Sequence, residues 1–395
     1  MLRPGLFALL VAVALAPSVR AEIKLIAHAT IPGTAADRSG LTDVLDGDVP
    51  HNRVGGLGGA IAFTGQGNRY VLAPDCGPGF GARSYRCRMH FFDIVTAGGR
   101  LDVQLVETVL LHDSEGEPFI SRDKELLNTK TGVPRRLDLE AIRASRTGTF
   151  FISDEYGPFV YEFDRRGRRL RSLKVPERFQ VTQPSADAEV ELAQNKRGRV
   201  PSRGMEGLAI SPDGRKLYPM MQSPLIQDGG RKGTNLRLLE IDVATQATRE
   251  FVYPLSSVSN GVSEIVAVND RQFLVLERDG KGKFSKLVKI DLTGASDVSR
   301  IDALPLSGLP EGVTAVTRSD FLDLLEPRFG LAKTDFIKKL EGMTFGPDLP
   351  DGRHLLLLTN DNDFSDTLAT HILAFAVDAA DLPGFRPQEF DAAPR

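Results

Sequence analysis

One unit recurs along this chain: a glutamate or glycine, a short apolar strand, a polar turn, and a second apolar strand that ends in acidic or amide residues. A repeated strand pair of this kind restricts the chain to a repeat-built β architecture, because no single hairpin can bury its own apolar face. Glu140-Ala-Ile-Arg-Ala144 passes through Arg146-Thr-Gly148 into Phe150-Phe-Ile-Ser-Asp154-Glu155. Glu206-Gly-Leu-Ala-Ile210 passes through Ser211-Pro-Asp-Gly214 into Leu217-Tyr-Pro-Met-Met-Gln222. Glu264-Ile-Val-Ala-Val268 leads to Phe273-Leu-Val-Leu-Glu277-Arg278, and Glu341-Gly-Met-Thr-Phe345 to Leu355-Leu-Leu-Leu-Thr-Asn360-Asp361. A weaker copy, Gly58-Gly-Ala-Ile-Ala-Phe63 to Tyr70-Val-Leu-Ala-Pro-Asp75, lacks the leading carboxylate.

Further strand candidates at Tyr161–Asp164, Leu236–Val243 and Leu287–Leu292 follow these hairpins, as the outer strands of four-stranded blades would. The fold class expected is therefore all-β, a single β-propeller with short helical insertions. Long gaps between the copies leave room for a sixth blade, so six is the favoured count and five or seven also fit. Lys24–Ala29 is expected to close the ring against His371–Val377. Short helices are expected at Ser319–Leu325 and Thr334–Leu340, with Ser319 and Thr334 as N-caps. The polar stretch Gln180–Arg199 reads as a mobile excursion between blades.

The amino terminus carries Arg3, an unbroken apolar run from Leu6 to Ala16, and small residues at Val19 and Ala21. This is the pattern of a secretory signal peptide over residues 1–21, too short to remain as a membrane anchor. Residues 22–395 are then one propeller domain, exported to the periplasm or secreted and expected to be monomeric. A net charge of −3 gives no reason to expect nucleic acid as a partner. Export also favours a disulfide between Cys76 and Cys87, the two cysteines of the chain.

In an antiparallel hairpin the start of the first strand lies beside the end of the second. Glu140 is thus expected to approach Asp154 and Glu155, Glu264 to approach Glu277, Glu341 to approach Asn360 and Asp361, and Glu206 to approach Gln222. Asp75 ends the weaker copy in the same way. A propeller gathers such pairs at one rim of its channel, where carboxylates repel unless cations compensate. Either a metal or nearby arginines are required. The oxygen donors favour calcium over zinc, because the six histidines are scattered and the cysteines lack zinc-site spacing. Arg203 and Arg278 stand next to these glutamates in sequence and could hold an anion such as phosphate, or merely balance the rim. In the alternative reading, each glutamate accepts backbone amides of the next blade and does no chemistry. The acidic runs Asp361-Asn-Asp363 with Asp366, and Asp43, Asp46 and Asp48, lack the glycine and terminal glutamate of an EF-hand.

No nucleophile elbow, zincin helix or Walker loop is present, and the absence of tryptophan removes the WD40 signature. The stretches Ser153-Asp-Glu-Tyr-Gly-Pro158, Arg203-Gly-Met-Glu-Gly-Leu208 and Leu340-Glu-Gly-Met-Thr-Phe-Gly346, followed by Thr359-Asn-Asp-Asn362, resemble the phytase-like domain described as having esterase-like activity. The resemblance covers nearly all of residues 22–395 and implies a hydrolase of phosphate esters acting on a small molecule. The chain departs from the family pattern at Asp75-Cys76-Gly77-Pro78, where an arginine is expected after the aspartate. The reading favoured by residues and resemblance together is a calcium-assisted phosphoesterase. Its candidate chemical groups are Glu140, Asp154, Glu155, Glu206, Glu264 and Glu341, with Asp75, Glu277, Asn360 and Asp361 as candidate ligands and Arg203 and Arg278 as candidate anion contacts. A noncatalytic binding propeller and a calcium-dependent lactonase or carboxylic-ester hydrolase remain as alternatives.

Overall fold

The computed structural model describes residues 22–75, 84–121, 135–185 and 187–392. The proposed signal peptide and Cys76 lie outside them. Cys87 is buried, and its thiol donates to the Leu137 carbonyl at 3.4 Å.

The described residues form five four-stranded antiparallel sheets and one two-stranded ribbon. The innermost strands of blades I to V are Leu57–Phe63, Leu139–Ala144, Met205–Ile210, Asn260–Ala267 and Leu340–Phe345. Each corresponds to one recognised copy of the repeat, so the count is five, within the expected range and one below the favoured six. The long gaps hold excursions instead of another blade. Residues 292–316 leave and re-enter blade IV between its third and fourth strands. Segment 174–204 joins blades II and III and carries a 3-10 turn, Glu177–Phe179, and a two-turn helix, Ala188–Gln194, capped by Asp187. Buried Glu191 pins that excursion by pairing with Arg199 at 2.6 Å and by accepting the Ser185 amide at 3.0 Å.

Ring closure follows the sequence expectation. Lys24–Ile31 pairs antiparallel with Thr370–Val377, with Lys24 opposite Ala376 and Ile31 opposite Thr370, so blade V is built from both ends of the chain. The helix expected at Ser319–Leu325 is instead the outer strand of blade IV, Thr317–Asp323, because its residues pair with Lys286–Asp291. Thr334–Leu340 yields only a 3-10 turn at Phe336–Lys339, and the Thr334 hydroxyl donates to Leu331 instead of capping it.

Apolar faces of successive blades pack together, as in the cluster that includes Leu208, Met220, Leu238, Ile265 and Val275. At the channel end opposite the repeated glutamates, the carboxy-terminal segment crosses the ring. Phe385 packs on Phe345 of blade V, the Arg386 amide bonds Val268 of blade IV, the Glu389 amide bonds Pro212 of blade III, and the Asp391 amide bonds Arg146 of blade II. Phe390 meets Phe63 of blade I edge-on at 5.8 Å. A cavity of about 240 Å³ remains between this strap and Arg143. Phe390→Ala is expected to cost about 1–2 kcal/mol, the loss of one half-buried ring and its edge contact, measured by denaturant unfolding.

Candidate functional site

Four of the five inner strands carry a glutamate, at the second residue in Leu139–Ala144, Met205–Ile210 and Leu340–Phe345 and at the fifth in Asn260–Ala267, and only the first three join one acidic arc. The ladder between first and second strands skips one residue at Glu140, at Glu206 and at Glu341. A β-bulge of this kind takes a residue out of the pleat and re-aims its side chain. In blade IV the skipped residue is Ser263, so Glu264 lies in the ladder opposite Leu276. In blade I the skip spans Gly58 and Gly59. The blade without a glutamate thus opens space: a Cβ on Gly59 would lie 3.6 Å from Asp75 and 3.9 Å from Glu341.

Three overlapping carboxylate triads result, each with oxygens within 4.8 Å of one another: Asp75–Glu341–Asp361, Asp75–Asp138–Glu140 and Glu140–Glu155–Glu206. Shared Asp75 and Glu140 join them into one arc. Asp138, absent from the sequence expectations, enters because it sits two residues before Glu140, outside the repeated motif. The spacing of a hairpin points to residues inside its two strands, and nothing in the repeat marks the residue that precedes them.

Apart from half-buried Asp75 the arc is buried, with Glu140 6% exposed, Glu155 7%, Glu206 3%, Glu341 6% and Asp361 2%. Burial raises the pKa of Glu140 and Glu206 well above the usual carboxylate range, and repulsion from the neighbouring carboxylates adds to it. Glu155 is pushed up to about 8, burial first and Asp138 second, against Arg199. Asp361 is raised by burial and by Glu341, with Lys339 opposing.

Partner geometry leaves specific oxygens available. Gln222 donates to Glu206 Oε1 at 2.8 Å, and Arg278 pairs with Glu341 Oε1. The other oxygen of each, Glu206 Oε2 and Glu341 Oε2, is buried without a hydrogen bond, as is Asp138 Oδ1. Buried oxygens of this kind are costly unless something positive meets them. Hard oxygen donors of this number and sharing suit a cation such as calcium.

The remaining sequence candidates lie elsewhere or are engaged. Asp154 is a turn cap whose carboxylate accepts the amides of Asp138, Tyr156 and Gly157 at 2.9, 3.2 and 3.1 Å. Burial pushes its pKa up to about 7. Glu264 is a staple: Oε1 accepts the Leu208 amide of the neighbouring blade at 3.0 Å, and Oε2 lies 2.8 Å from Arg143. Here the structural alternative holds, for this glutamate. Glu277 is saturated by Tyr253, Ser256, Asn260 and Arg318. Asn360 bonds the backbone of Asp361 and His371. Arg278 spends its other nitrogens on the carbonyls of Leu340 and Lys338. Arg203 differs from Arg278: half-buried, in electrostatic contact with Glu206 and Glu155, it makes no side-chain hydrogen bond or ion pair among the described residues.

Arg143 was not expected from the sequence. Its guanidinium lies in the channel and donates to the carbonyls of Ile61, Ile142, Ile265 and Met343 at 2.9, 2.6, 3.0 and 3.3 Å, which belong to blades I, II, IV and V. With Glu264 reaching blade III, one buried ion pair touches every inner strand.

Among known proteins, the chain is 30% identical to an uncharacterized secreted protein of Arthroderma benhamiae over 234 residues, 45% of this chain. The match spans 46% of that relative's length, about half. Among solved structures, virginiamycin B lyase from Staphylococcus aureus aligns with 90% of this chain and 100% of its own at 11% identity and a TM-score of 0.38. A luciferin-regenerating enzyme aligns with 84% of this chain and 80% of its own at 11% identity and a TM-score of 0.34. Scores this low carry no argument about function. None of the described helices is long and apolar enough to cross a membrane. The model of the phytase-like family, described as "Esterase-like activity of phytase", matches residues 52–364, which include every member of the acidic arc, and the chain belongs to that family.

Proposed function

We propose that this protein is an exported, calcium-assisted phosphoesterase whose site is the acidic arc at the channel mouth. The observation that carries this reading is the set of buried, unpartnered oxygens, Glu206 Oε2, Glu341 Oε2 and Asp138 Oδ1, beside the unpaired guanidinium of Arg203. An all-carboxylate cleft would repel an anionic substrate, so a phosphate ester requires both a cation and a basic contact. When bound, calcium supplies positive charge to the phosphoryl oxygens and to the water that attacks them. Carboxylates of the arc would hold it, through unpartnered oxygens such as Glu206 Oε2. Arg203 takes a non-bridging phosphoryl oxygen in a charge-assisted hydrogen bond. Asp138 Oδ1, in the middle of the arc, accepts the proton of the attacking water. Export rests on the amino-terminal signal pattern and on the secreted relative.

Purified protein comprising residues 22–395 is expected to hydrolyse at least one class among aryl phosphates, phosphodiesters and inositol phosphates. Chelation should remove turnover and calcium should restore it. Asp138→Asn is expected to lower kcat by about 100-fold or more, as loss of a general base does. Arg203→Met should act mainly on KM. Turnover of lactones or carboxylic esters with none of phosphate esters would replace the phosphate reading. Binding of a phosphate ester with no turnover of any ester would make the propeller a binding module.

A further inference from the structure

The three triads differ in how their charge is balanced. In Asp75–Glu341–Asp361, Glu341 is paired with Arg278, and Asp361 lies 4.0 Å from Lys339, which also holds Asp363 at 2.7 Å. In Asp75–Asp138–Glu140, Asp138 lies 3.5 Å from Arg136. Protein cations thus already occupy the flanks of the first two. In Glu140–Glu155–Glu206 no lysine or arginine lies within ion-pair distance of any carboxylate among the described residues. Its contacts are neutral: the Gly204 amide on Glu155 at 3.3 Å and the Gln222 amide on Glu206 at 2.8 Å.

Arg203, in electrostatic contact with Glu155 and Glu206, makes no ion pair with either, and two further arginines near Glu155 are committed elsewhere. Arg199 pairs with Glu191, and Arg136 stacks its guanidinium on Tyr156, 3.9 Å from the ring centroid. Three carboxylates held together in a buried site must either take up protons or meet a positive charge, because desolvation and mutual repulsion act in the same direction. Glu206 Oε2, in a side chain 3% exposed, also has no hydrogen bond.

We infer that the cation centre of the arc is the Glu140–Glu155–Glu206 triad between blades II and III, with Gln222 as its positioning residue. Gln222 occupies Glu206 Oε1 and so leaves Oε2 as the donor oxygen. The Arg278 and Lys339 flank is a charge-balanced structural edge. Gly204 fixes the third member, since a Cβ there would lie 1.9 Å from the Glu155 carbonyl oxygen, and this close approach sets where Glu155 stands. The inference rests on the proposed cation-assisted reading but concerns binding, which is measurable without turnover.

The test is the calcium concentration at half-maximal rise in melting temperature, with calorimetric titration of calcium as the second measurement. Glu155→Gln and Glu206→Gln, near-isosteric changes, are expected to raise that concentration by about tenfold or more, as removal of ligand charge does. Gln222→Leu is expected to raise it less than either ligand change, while remaining outside the first coordination sphere. Asp361→Asn should leave it within about twofold, since a flanking lysine already balances that group. Melting in chelator reports whether each variant is folded. Loss of calcium response in Asp361→Asn with retention in Glu206→Gln overturns the assignment, as does a wild-type melting curve unmoved by calcium, magnesium and manganese. Calcium binding that follows this pattern without phosphate turnover sinks the phosphoesterase and leaves the triad. Calcium-dependent phosphate turnover with binding indifferent to Glu206 does the reverse.

Discussion

Arg143→Met is expected to lower the free energy of unfolding by about 3–5 kcal/mol, the cost of leaving a buried ion-pair partner uncompensated. The guanidinium is 4% exposed and Glu264 is fully buried. The substitution strands Glu264 and four carbonyl groups of four inner strands at once. Methionine preserves the apolar stem but offers no donor. Burial pushes the Glu264 pKa up to about 7 even with Arg143 present, so in the variant the carboxyl is expected to take up a proton near neutrality. The double change Arg143→Met, Glu264→Gln should therefore recover part of the loss, by about 1–2 kcal/mol, since a neutral amide avoids the unpaired charge. Denaturant unfolding of the three variants measures this directly. Equal stability of wild type and Arg143→Met would show that the blade packing alone holds the ring. Because a hub on the axis is shared by every blade, its loss should also reduce cooperativity, visible as a lower denaturant slope.

Asp154→Ala is expected to cost about 3 kcal/mol, because the carboxylate satisfies three backbone amides, one buried and two partly buried, and each is worth roughly 1 kcal/mol. Two of those amides, from Asp138 and Tyr156, meet Oδ1, and the third, from Gly157, meets Oδ2. Asp154→Asn keeps the Oδ1 acceptor and presents an amine to Gly157, so it should cost less, about 1–2 kcal/mol. The calcium response of the asparagine variant should match wild type, which separates Asp154 from its neighbour Glu155. A calcium half-saturation shifted by Asp154→Asn as strongly as by Glu155→Gln would place Asp154 among the ligands.

The propeller, its closure and the rim were legible in the residues for one physical reason. A hairpin repeats its apolar alternation and its end groups locally, and local patterns survive in the sequence. Glu140, Glu155, Glu206, Glu341, Asp75 and Asp361 are all ends of recognisable strands, and the arc is made of them plus Asp138. The closing strand Lys24–Ile31 could be matched to blade V because an unpaired edge needs a partner.

What the repeat could not carry was register. Glu264 reads like the other leading glutamates, but a bulge at Ser263 instead of at the glutamate keeps it in the pleat and turns it to Arg143. One residue of offset decides between a site carboxylate and a staple, since side chains alternate faces with a period of two. Asp138 and Arg143 were invisible for a related reason: the partners that fix them across strands and blades, Asp154 for Asp138 and Ile61, Ile265 and Met343 for Arg143, are 16 to 200 residues away, and no local pattern announces such contacts. Charge balance was equally a matter of tertiary structure. Arg203 and Arg278 look alike beside their glutamates in the chain, yet the fold spends every nitrogen group of Arg278 on Glu341, Leu340 and Lys338 and leaves the guanidinium of Arg203 without a side-chain partner. Sequence by itself determined which strand ends reach the rim. The packing of five blades about one axis determined which of them face one another, because bulge position and inter-blade distance exist only once the ring has closed.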